Sequence, residues 1–130
     1  MKKFLILYYL ILSSAWSQTV IYHKEGDSPI QGYLALPKGK GPAPGIILIH
    51  EWWGLNDDIR EKANHFASQG YAALAVDLYH GGSTDKSSEA RQLAGAVRED
   101  MEGAFTNLSA ALDYLKNQPG VDEKRLASIG

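Results

Sequence analysis

Apolar and polar positions beyond residue 17 fall into a succession of strand and helix patterns. The clearest is the continuous apolar run 45–49, which is typical of a strand buried on both faces of a parallel sheet. A second such run covers 71–79. Between them lies a helical pattern whose single apolar face is formed by Ile59, Ala63, Phe66 and Ala67. Residues 45–79 are therefore predicted to form a β-α-β unit with parallel strands.

Capping signals give this helix its expected ends. Asn56 is a favourable N-cap residue, and Asp57 and Asp58 suit the positive end of a helix. Gly70 is placed to end it. The helix is therefore expected to begin at Asp57 and to end just before Gly70.

Two shorter strand patterns come earlier in the chain. Residues 20–23 and 32–36 look like strands, and the turn-forming stretch 25–29 joins them. Pro37 follows the second pattern and cannot continue a central ladder. These residues predict a hairpin at one edge of the sheet.

Two helices and a strand are predicted after residue 87. The first helix has an apolar face made of Ala90, Leu93, Ala94 and Val97. The apolar face of the second is predicted to comprise Met101, Ala104, Phe105, Leu108, Leu112 and Leu115. Pro119 and Gly120 stop the second helix, and 125–129 begins a further strand. The whole pattern predicts an α/β fold, with an open, mostly parallel sheet, helices on both faces, and no helix to cover its last strand.

Composition narrows the class of protein. Charged residues make up 22% of the 130 residues, the formal charge is -2, and no long block of one sign occurs, which excludes a basic nucleic-acid surface. The chain has no cysteine, which excludes disulfides and cysteine-based metal sites. Its 45% apolar content suits one core, and no cofactor is expected.

The first 17 residues have the pattern of a signal peptide. Lys2 and Lys3 form a basic start, 4–12 is an apolar run, and small residues follow at Ala15 and Ser17. The run is shorter than the roughly 20 apolar residues that a membrane-spanning helix needs. We expect cleavage near Ser17, export to the periplasm or the exterior, and no stable membrane span in the mature chain from 18 to 130. A retained N-terminal anchor is the alternative.

The first candidate site lies where the run 45–49 ends. His50, Glu51, Trp52 and Trp53 follow the strand at its carboxyl end, where ligands bind in open α/β sheets. The His-Glu pair is not a zinc motif, because the second histidine would stand at Gly54. Glu51 could be catalytic, or it could accept hydrogen bonds from amides near the next helix. The two tryptophans could line a pocket or pack in the core.

A second group of candidates lies on the loop after 71–79. His80 could line the site or be a solvated loop histidine. Asp77 is expected to accept hydrogen bonds from loop amides, a structural role. The stretch 81–84 could hold an anion, but it lacks the lysine and the spacing of a phosphate-binding loop. The four histidines show no ligand spacing, so no metal site is expected.

The chain also lacks the sequence of a nucleophile elbow. No Gly-x-Ser-x-Gly occurs, although 125–130 has the form of the strand that leads into one, with Gly130 as its first glycine. We therefore expect the fold to be truncated before the elbow.

Four segments together resemble the N-terminal half of the dienelactone hydrolase family, within the α/β-hydrolase superfamily. They cover nearly all of the chain beyond the leader, and the second is the most diagnostic. The segments are 32–37 (Gly-Tyr-Leu-Ala-Leu-Pro), 49–56 (Ile-His-Glu-Trp-Trp-Gly-Leu-Asn), 75–79 (Ala-Val-Asp-Leu-Tyr) and 125–130.

The resemblance implies hydrolysis of a carboxylic ester or lactone by a Cys-His-Asp triad. The nucleophilic cysteine would follow Gly130, and the triad aspartate and histidine would lie further on, so the 130-residue chain alone is expected to be inactive. Glu51 matches the glutamate that activates the thiol, and the backbone N–H of Trp52 matches an oxyanion-hole donor. Trp53 and His80 are expected to line the substrate pocket.

The resemblance leaves the substrate and one alternative function open. His80 stands where an arginine is expected in members that bind a substrate carboxylate, so the expected substrate is an ester or lactone of unspecified shape. The alternative is a non-catalytic exported α/β domain that binds a small ligand or a partner. A nucleotide-binding domain is disfavoured because no phosphate loop occurs.

Overall fold

A computed structural model describes residues 16–39 and 41–130 of the chain. The described residues form five strands and three helices. In chain order these are β1 Trp16–Glu25, β2 Ser28–Leu36, β3 Ala43–Leu48, α1 Asp57–Ser68, β4 Ala72–Ala75, α2 Ser87–Glu99, α3 Met101–Lys116 and β5 Val121–Ile129. Among them no helix is both long and apolar enough to cross a membrane.

The strands form one open sheet in the order β1-β2-β4-β3-β5. β3 pairs in parallel with both β4 and β5, which confirms the β-α-β unit. β1 with β2 and β2 with β4 pair antiparallel, so the predicted hairpin does lie at the sheet edge. The open α/β sheet is confirmed, as a mixed sheet with two parallel and two antiparallel pairings.

Helices cover both faces of the sheet because the central strands are apolar on both faces. In β4, Ala73 and Ala75 point to one core with Ala63 of α1. Leu74, between them, points to the other core with Leu115 of α3. All five of these side chains are fully buried. Such an unbroken apolar run is the pattern expected of a strand covered on both faces.

The helix α1 begins and ends as its capping residues predict. The Asn56 side chain accepts a hydrogen bond from the Ile59 amide at 3.2 Å. Gly70, just past the helix, has a φ of +98°. This left-handed conformation is one that glycine adopts without a steric penalty.

β1 is longer than its apolar pattern indicates. It begins at Trp16, which pairs with Leu36 of β2. The strand therefore includes two residues that stand before the expected cleavage point near Ser17. Residues 1–15 of the expected leader lie outside the described residues.

The strand predicted over 71–79 is wrong at its carboxyl end, because β4 stops at Ala75. The Asp77 carboxylate accepts hydrogen bonds from the amides of Tyr79, at 2.8 Å, and Gly81, at 2.6 Å. These bonds turn the chain away from the sheet. They also confirm the structural role expected of Asp77.

The predicted apolar face of the second long helix is also wrong in part. In α3, Phe105 is 62% exposed and Met101 is 47% exposed. The buried residues are Asn107, Ala111 and Leu115, and of these the predicted face includes only Leu115. Asn107 donates a hydrogen bond to the Asp77 carbonyl at 3.0 Å, and this polar anchor sets the rotation of the helix. Hydrophobic spacing alone could not indicate it.

β5 begins four residues earlier than predicted. The charged stretch 122–125 has a loop-like composition, yet Val121 and Asp122 pair with β3 before an irregularity in the register. Arg125 donates hydrogen bonds to the Asp122 carboxylate, at 2.8 Å, and to the Pro42 carbonyl, at 3.0 Å. These contacts hold the charged residues at the sheet edge. The arginine also holds the pKa of the Asp122 carboxyl below its ordinary value.

Candidate active site

His50 lies at the carboxyl end of β3 with its side chain 2% exposed. Its Nε2 accepts a hydrogen bond from the Leu78 amide at 3.0 Å. The proton of the neutral ring therefore resides on Nδ1, which donates to the Glu51 carbonyl at 2.7 Å. His50 thus joins two backbone segments that are 28 residues apart.

Glu51 follows His50 and projects outward from the sheet. Its side chain is 66% exposed, and its carboxylate lies 3.8 Å from Lys62 Nζ of α1. Among the described residues no backbone amide donates to this carboxylate, so the structural alternative considered for Glu51 has no support. Glu51 and Trp53 line one open cavity of about 440 Å³, together with Asn56, Lys62 and His65. An accessible carboxylate beside an ammonium group is suited to proton transfer or to holding a reactive group.

The backbone after Glu51 is held by the loop that follows β4. The Tyr79 hydroxyl donates to the Trp52 carbonyl at 3.1 Å. The Thr84 amide donates to the Trp53 carbonyl at 3.0 Å. Within the described part of the chain, the Trp52 N–H makes no hydrogen bond to a protein acceptor. It is a fixed donor available to another group.

Gly54 allows the two loops to approach closely. It has a φ of +91°, and it pairs with Ser83 in an isolated bridge. A Cβ at this position would overlap the Gly82 carbonyl oxygen and lie 3.0 Å from Ser83 Cα. Only glycine fits both the conformation and the space.

A buried polar network supports this arrangement from the opposite face of the sheet. The Tyr22 hydroxyl donates to Asn107 Oδ1 at 2.7 Å and accepts from the Asp77 amide at 3.1 Å. Burial raises the pKa of Tyr22 to about 12, so the phenol remains neutral. The network fixes the start of the loop that holds Trp52.

His80 lies apart from the other candidate site residues. Its Nδ1 is 2.9 Å from a carboxylate oxygen of Glu25 at the end of β1. It lines cavities near α3, and it is not among the residues that line the cavity of Glu51 and Trp53. Its role as a pocket residue therefore stays a prediction. The contact with Glu25 was not indicated by the sequence, because the two residues are 55 positions apart.

Lys62 is a site residue that sequence reasoning missed. It is a lysine on the largely polar outer part of α1, and such residues usually contact solvent. Its distance of three positions from the buried Ile59 is the one available signal, since residues three apart lie on the same side of a helix. No group of three or more His, Cys, Asp or Glu within the described ranges is arranged to hold a metal ion.

The ends of β3 and β5 lie side by side. Leu48 pairs with Ile129, and the Ile49 amide donates to the Ile129 carbonyl at 2.8 Å. A Cβ at Gly130 would lie 2.9 Å from Ile49 Cβ, so the chain passes close to the start of the site.

This open α/β sheet, with its polar residues at the carboxyl ends of parallel strands, is that of an α/β hydrolase. The model of the dienelactone hydrolase family matches residues 30–130. The chain belongs to the dienelactone hydrolase family, which confirms the resemblance read from its sequence.

Individual relatives agree with this assignment. The chain is 35% identical to "Protein usf" of Aquifex pyrophilus over 117 residues, which is 87% of this chain and 49% of that protein. It is 36% identical to a carboxymethylenebutenolidase of Pseudomonas putida over 72% of this chain and 42% of that enzyme. The chain thus spans about half the length of these curated relatives.

A solved structure gives the same result. The crystal structure of a dienelactone hydrolase-like promiscuous phosphotriesterase from metagenomic libraries superposes with a TM-score of 0.78 at 31% identity. The match covers 90% of this chain and 49% of that one. The described residues therefore share the fold of about half of that chain.

Proposed function

We propose that the protein hydrolyses a carboxylic ester or lactone, and that this chain supplies the part of the active site that activates the nucleophile and binds the oxyanion. One observation carries the proposal: β3 and β5 pair in parallel up to Leu48 and Ile129, and Gly130 lies close to Ile49, two residues before Glu51. In the family resemblance, the nucleophilic cysteine follows this strand. A cysteine there would emerge at the same end of the sheet as the exposed carboxylate of Glu51.

Glu51 has the role of activator in this proposal. A free thiol is mostly protonated at neutral pH, and the thiolate is the nucleophile. A carboxylate beside the thiol accepts its proton, and the thiolate then attacks the carbonyl carbon of the ester. Lys62 Nζ lies 3.8 Å from the Glu51 carboxylate, on the open side of the site.

The Trp52 N–H has the role of oxyanion donor. When the thiolate adds to the carbonyl, negative charge moves onto the carbonyl oxygen. The carbonyl then re-forms as a thioester while the alcohol leaves with the proton taken from the thiol, and water hydrolyses the thioester to release the acid and restore the thiol. A donor that meets this oxygen only in the transition state accelerates the reaction, and removing one costs on the order of a hundredfold to a thousandfold in rate. Trp53 supplies an apolar wall beside Glu51.

The substrate and the location are also parts of the proposal. The family and the enzymes named carboxymethylenebutenolidase among the relatives support an ester or lactone of small size. The basic and apolar leader supports export with cleavage near Ser17. No cofactor and no metal has a part in these steps.

A thiol-alkylation experiment tests the proposal. These 130 residues contain no cysteine, so any thiol-dependent activity must come from a residue outside them. In the full-length protein, we expect turnover of p-nitrophenyl acetate, and we expect iodoacetamide to abolish it in step with the modification of one cysteine. Activity that survives complete alkylation would exclude a thiol nucleophile, and absence of turnover of a panel of esters and lactones would exclude the function.

A further inference from the structure

We propose that His50 is a positioning residue whose hydrogen bond to the Glu51 carbonyl aims the Trp52 N–H at the reacting carbonyl group. The inference rests on the proposed function, since it assigns a role within that site. It concerns the residue directly before the proposed activator, whose ring hydrogen-bonds to two backbone groups.

The hydrogen bonds of the His50 ring define its tautomer. The Leu78 amide donates to Nε2 at 3.0 Å, so Nε2 carries no proton and Nδ1 does. The Nδ1–H donates to the Glu51 carbonyl at 2.7 Å, a short bond for a neutral pair. The ring is held further by an edge contact with Tyr79, at 4.6 Å between ring centroids. A 2% exposed imidazole held by two backbone groups has little freedom to rotate.

His50 holds the peptide that joins Glu51 and Trp52. The Glu51 carbonyl and the Trp52 N–H belong to the same planar trans peptide, and they point in opposite directions. Fixing the direction of the carbonyl therefore fixes the direction of the N–H. Because the carbonyl points to His50, inside the protein, the N–H points away from that interior.

The hydrogen bonds of neighbouring residues hold other peptides, so the peptide between Glu51 and Trp52 is held by His50. The Tyr79 hydroxyl and the Thr84 amide hold the Trp52 and Trp53 carbonyls, which belong to the next two peptides. The Glu51 carbonyl also accepts the Gly54 amide at 3.1 Å, a bond inside the same turn that moves with it. Among the described residues, His50 is the one contact that ties the Glu51–Trp52 peptide to the rest of the sheet.

The expected effect lies in kcat. An oxyanion donor acts on charge that develops in the transition state, so misdirecting it lowers kcat and leaves substrate binding largely unchanged. A purely structural role would instead lower the stability and the amount of active protein. The two roles are distinguished by comparing the change in kcat with the change in KM, with both measured per folded active site.

Two substitutions at His50 form a matched pair. The side-chain amide of His50→Asn can occupy the place of Nδ1–H and donate to the Glu51 carbonyl. The longer His50→Gln places its amide near Nε2, where its oxygen can accept from the Leu78 amide. Both remove the imidazole and create a similar packing defect, so they differ chiefly in which hydrogen bond they keep.

In the full-length protein with p-nitrophenyl acetate as substrate, we expect His50→Gln to lower kcat about a hundredfold with KM within about threefold of wild type. We expect His50→Asn to keep kcat within about tenfold. Active sites are counted by stoichiometric thiol labelling. Equal losses of kcat in the two variants, or a loss confined to KM, would overturn the positioning role.

A second measurement remains valid if either variant fails to fold. The ¹⁵N resonances of the His50 ring in the wild-type protein report its tautomer, and we expect a neutral ring protonated at Nδ1. A ring protonated at Nε2 would overturn the inference while leaving the proposed function standing. If the wild-type protein turns over neither p-nitrophenyl acetate nor the wider panel of esters and lactones, the proposed function fails, and this inference fails with it.

Discussion

Tyr22 shows how much a single buried hydroxyl contributes to the position of the site. Its phenol joins β1, the start of the loop after β4, and α3 through bonds to Asp77 and Asn107. Replacing it with phenylalanine leaves Asn107 Oδ1 and the Asp77 amide without this partner. Unsatisfied buried groups of this kind typically cost about 1–3 kcal/mol each.

We expect Tyr22→Phe to lower the free energy of unfolding of the full-length protein by about 2 kcal/mol, measured by urea denaturation at pH 7. Tyr71→Phe, at a position that is 38% exposed, is the matched control and should change it by less than about 0.5 kcal/mol. A Tyr22 variant as stable as the control would contradict the network.

Tyr22 also makes stability depend on pH in the alkaline range. Burial raises its pKa in the folded protein to about 12, above the ordinary value of 10.0. Its contribution is therefore fully present below pH 10 and is lost as the pH rises toward 12. Between these limits wild type should lose on the order of 2 kcal/mol more stability than Tyr22→Phe does. If the free energies of unfolding of the two proteins, measured by urea denaturation, changed equally between pH 10 and pH 12, this role of Tyr22 would be excluded.

Residue-scale roles were only partly readable from the sequence. Glu51 stands out because it lies just after an apolar strand and before two tryptophans, whereas the sequence pattern at His50 suggests only a metal ligand and then excludes one. Its two hydrogen bonds are to backbone groups, one of them 28 residues away, and no side-chain pattern encodes such partners. The tautomer that links it to the Trp52 peptide follows only from the three-dimensional contacts.

At the scale of elements, the site depends on the contact between the turn after β3 and the loop after β4. Gly54 is the residue at which these two segments meet. Its φ of +91° and the proximity of Gly82 leave no room for a side chain. The loop bonds to the Trp52 and Trp53 carbonyls depend on this approach.

We expect Gly54→Ala to destabilise the full-length protein by about 2 kcal/mol and to lower kcat, because the alanine strains the backbone and separates the two segments. The control is Gly95→Ala within α2, where a Cβ meets no atom within 4 Å. That change should stabilise the helix by about 0.5–1 kcal/mol. Thermal unfolding and kinetics of both variants test the pair, and two variants of equal stability would refute the close approach.

Element types could be predicted from the sequence better than their limits. The helix α1 follows its capping residues, and the hairpin follows its turn residues. β4 stops early because Asp77 binds loop amides, and α3 is rotated because Asn107 anchors it. Both deviations arise from hydrogen bonds between distant parts of the chain, which the spacing of apolar residues does not indicate.

At the scale of the whole molecule, the first consideration is how these 130 residues behave by themselves. It spans about half the length of its curated relatives, and it contains no cysteine. Large apolar side chains are exposed on α3 and at the end of β5, including Phe105 at 62% and Ile129 at 51%. Exposed apolar groups in number favour association.

We expect the isolated 130-residue chain to show no turnover of p-nitrophenyl acetate above the rate in buffer, because the proposed nucleophile is a cysteine and these residues contain none. The full-length protein at the same molar concentration is the positive control. Enzyme-like turnover by the short chain, saturable in substrate, would mean that the chemistry resides within these residues.

The overall architecture and the family could be predicted because many weak patterns agree along the chain. The order of strands and helices, the segment 49–56 and the strand 125–129 each specify little alone. Their order and spacing specify one fold. The position of His80 could not be predicted, since its contact with Glu25 depends on how the hairpin packs beside the loop.

The central claim is that Glu51 activates the nucleophile, and the kinetics of Glu51→Gln in the full-length protein test it most directly. If Glu51 activates the nucleophile, kcat/KM of the Glu51→Gln variant for p-nitrophenyl acetate falls by at least about a hundredfold while its melting temperature is unchanged. Glu99→Gln, at an exposed position at the end of α2, should retain the wild-type rate. A Glu51→Gln protein that folds and retains the wild-type kcat/KM would contradict the account.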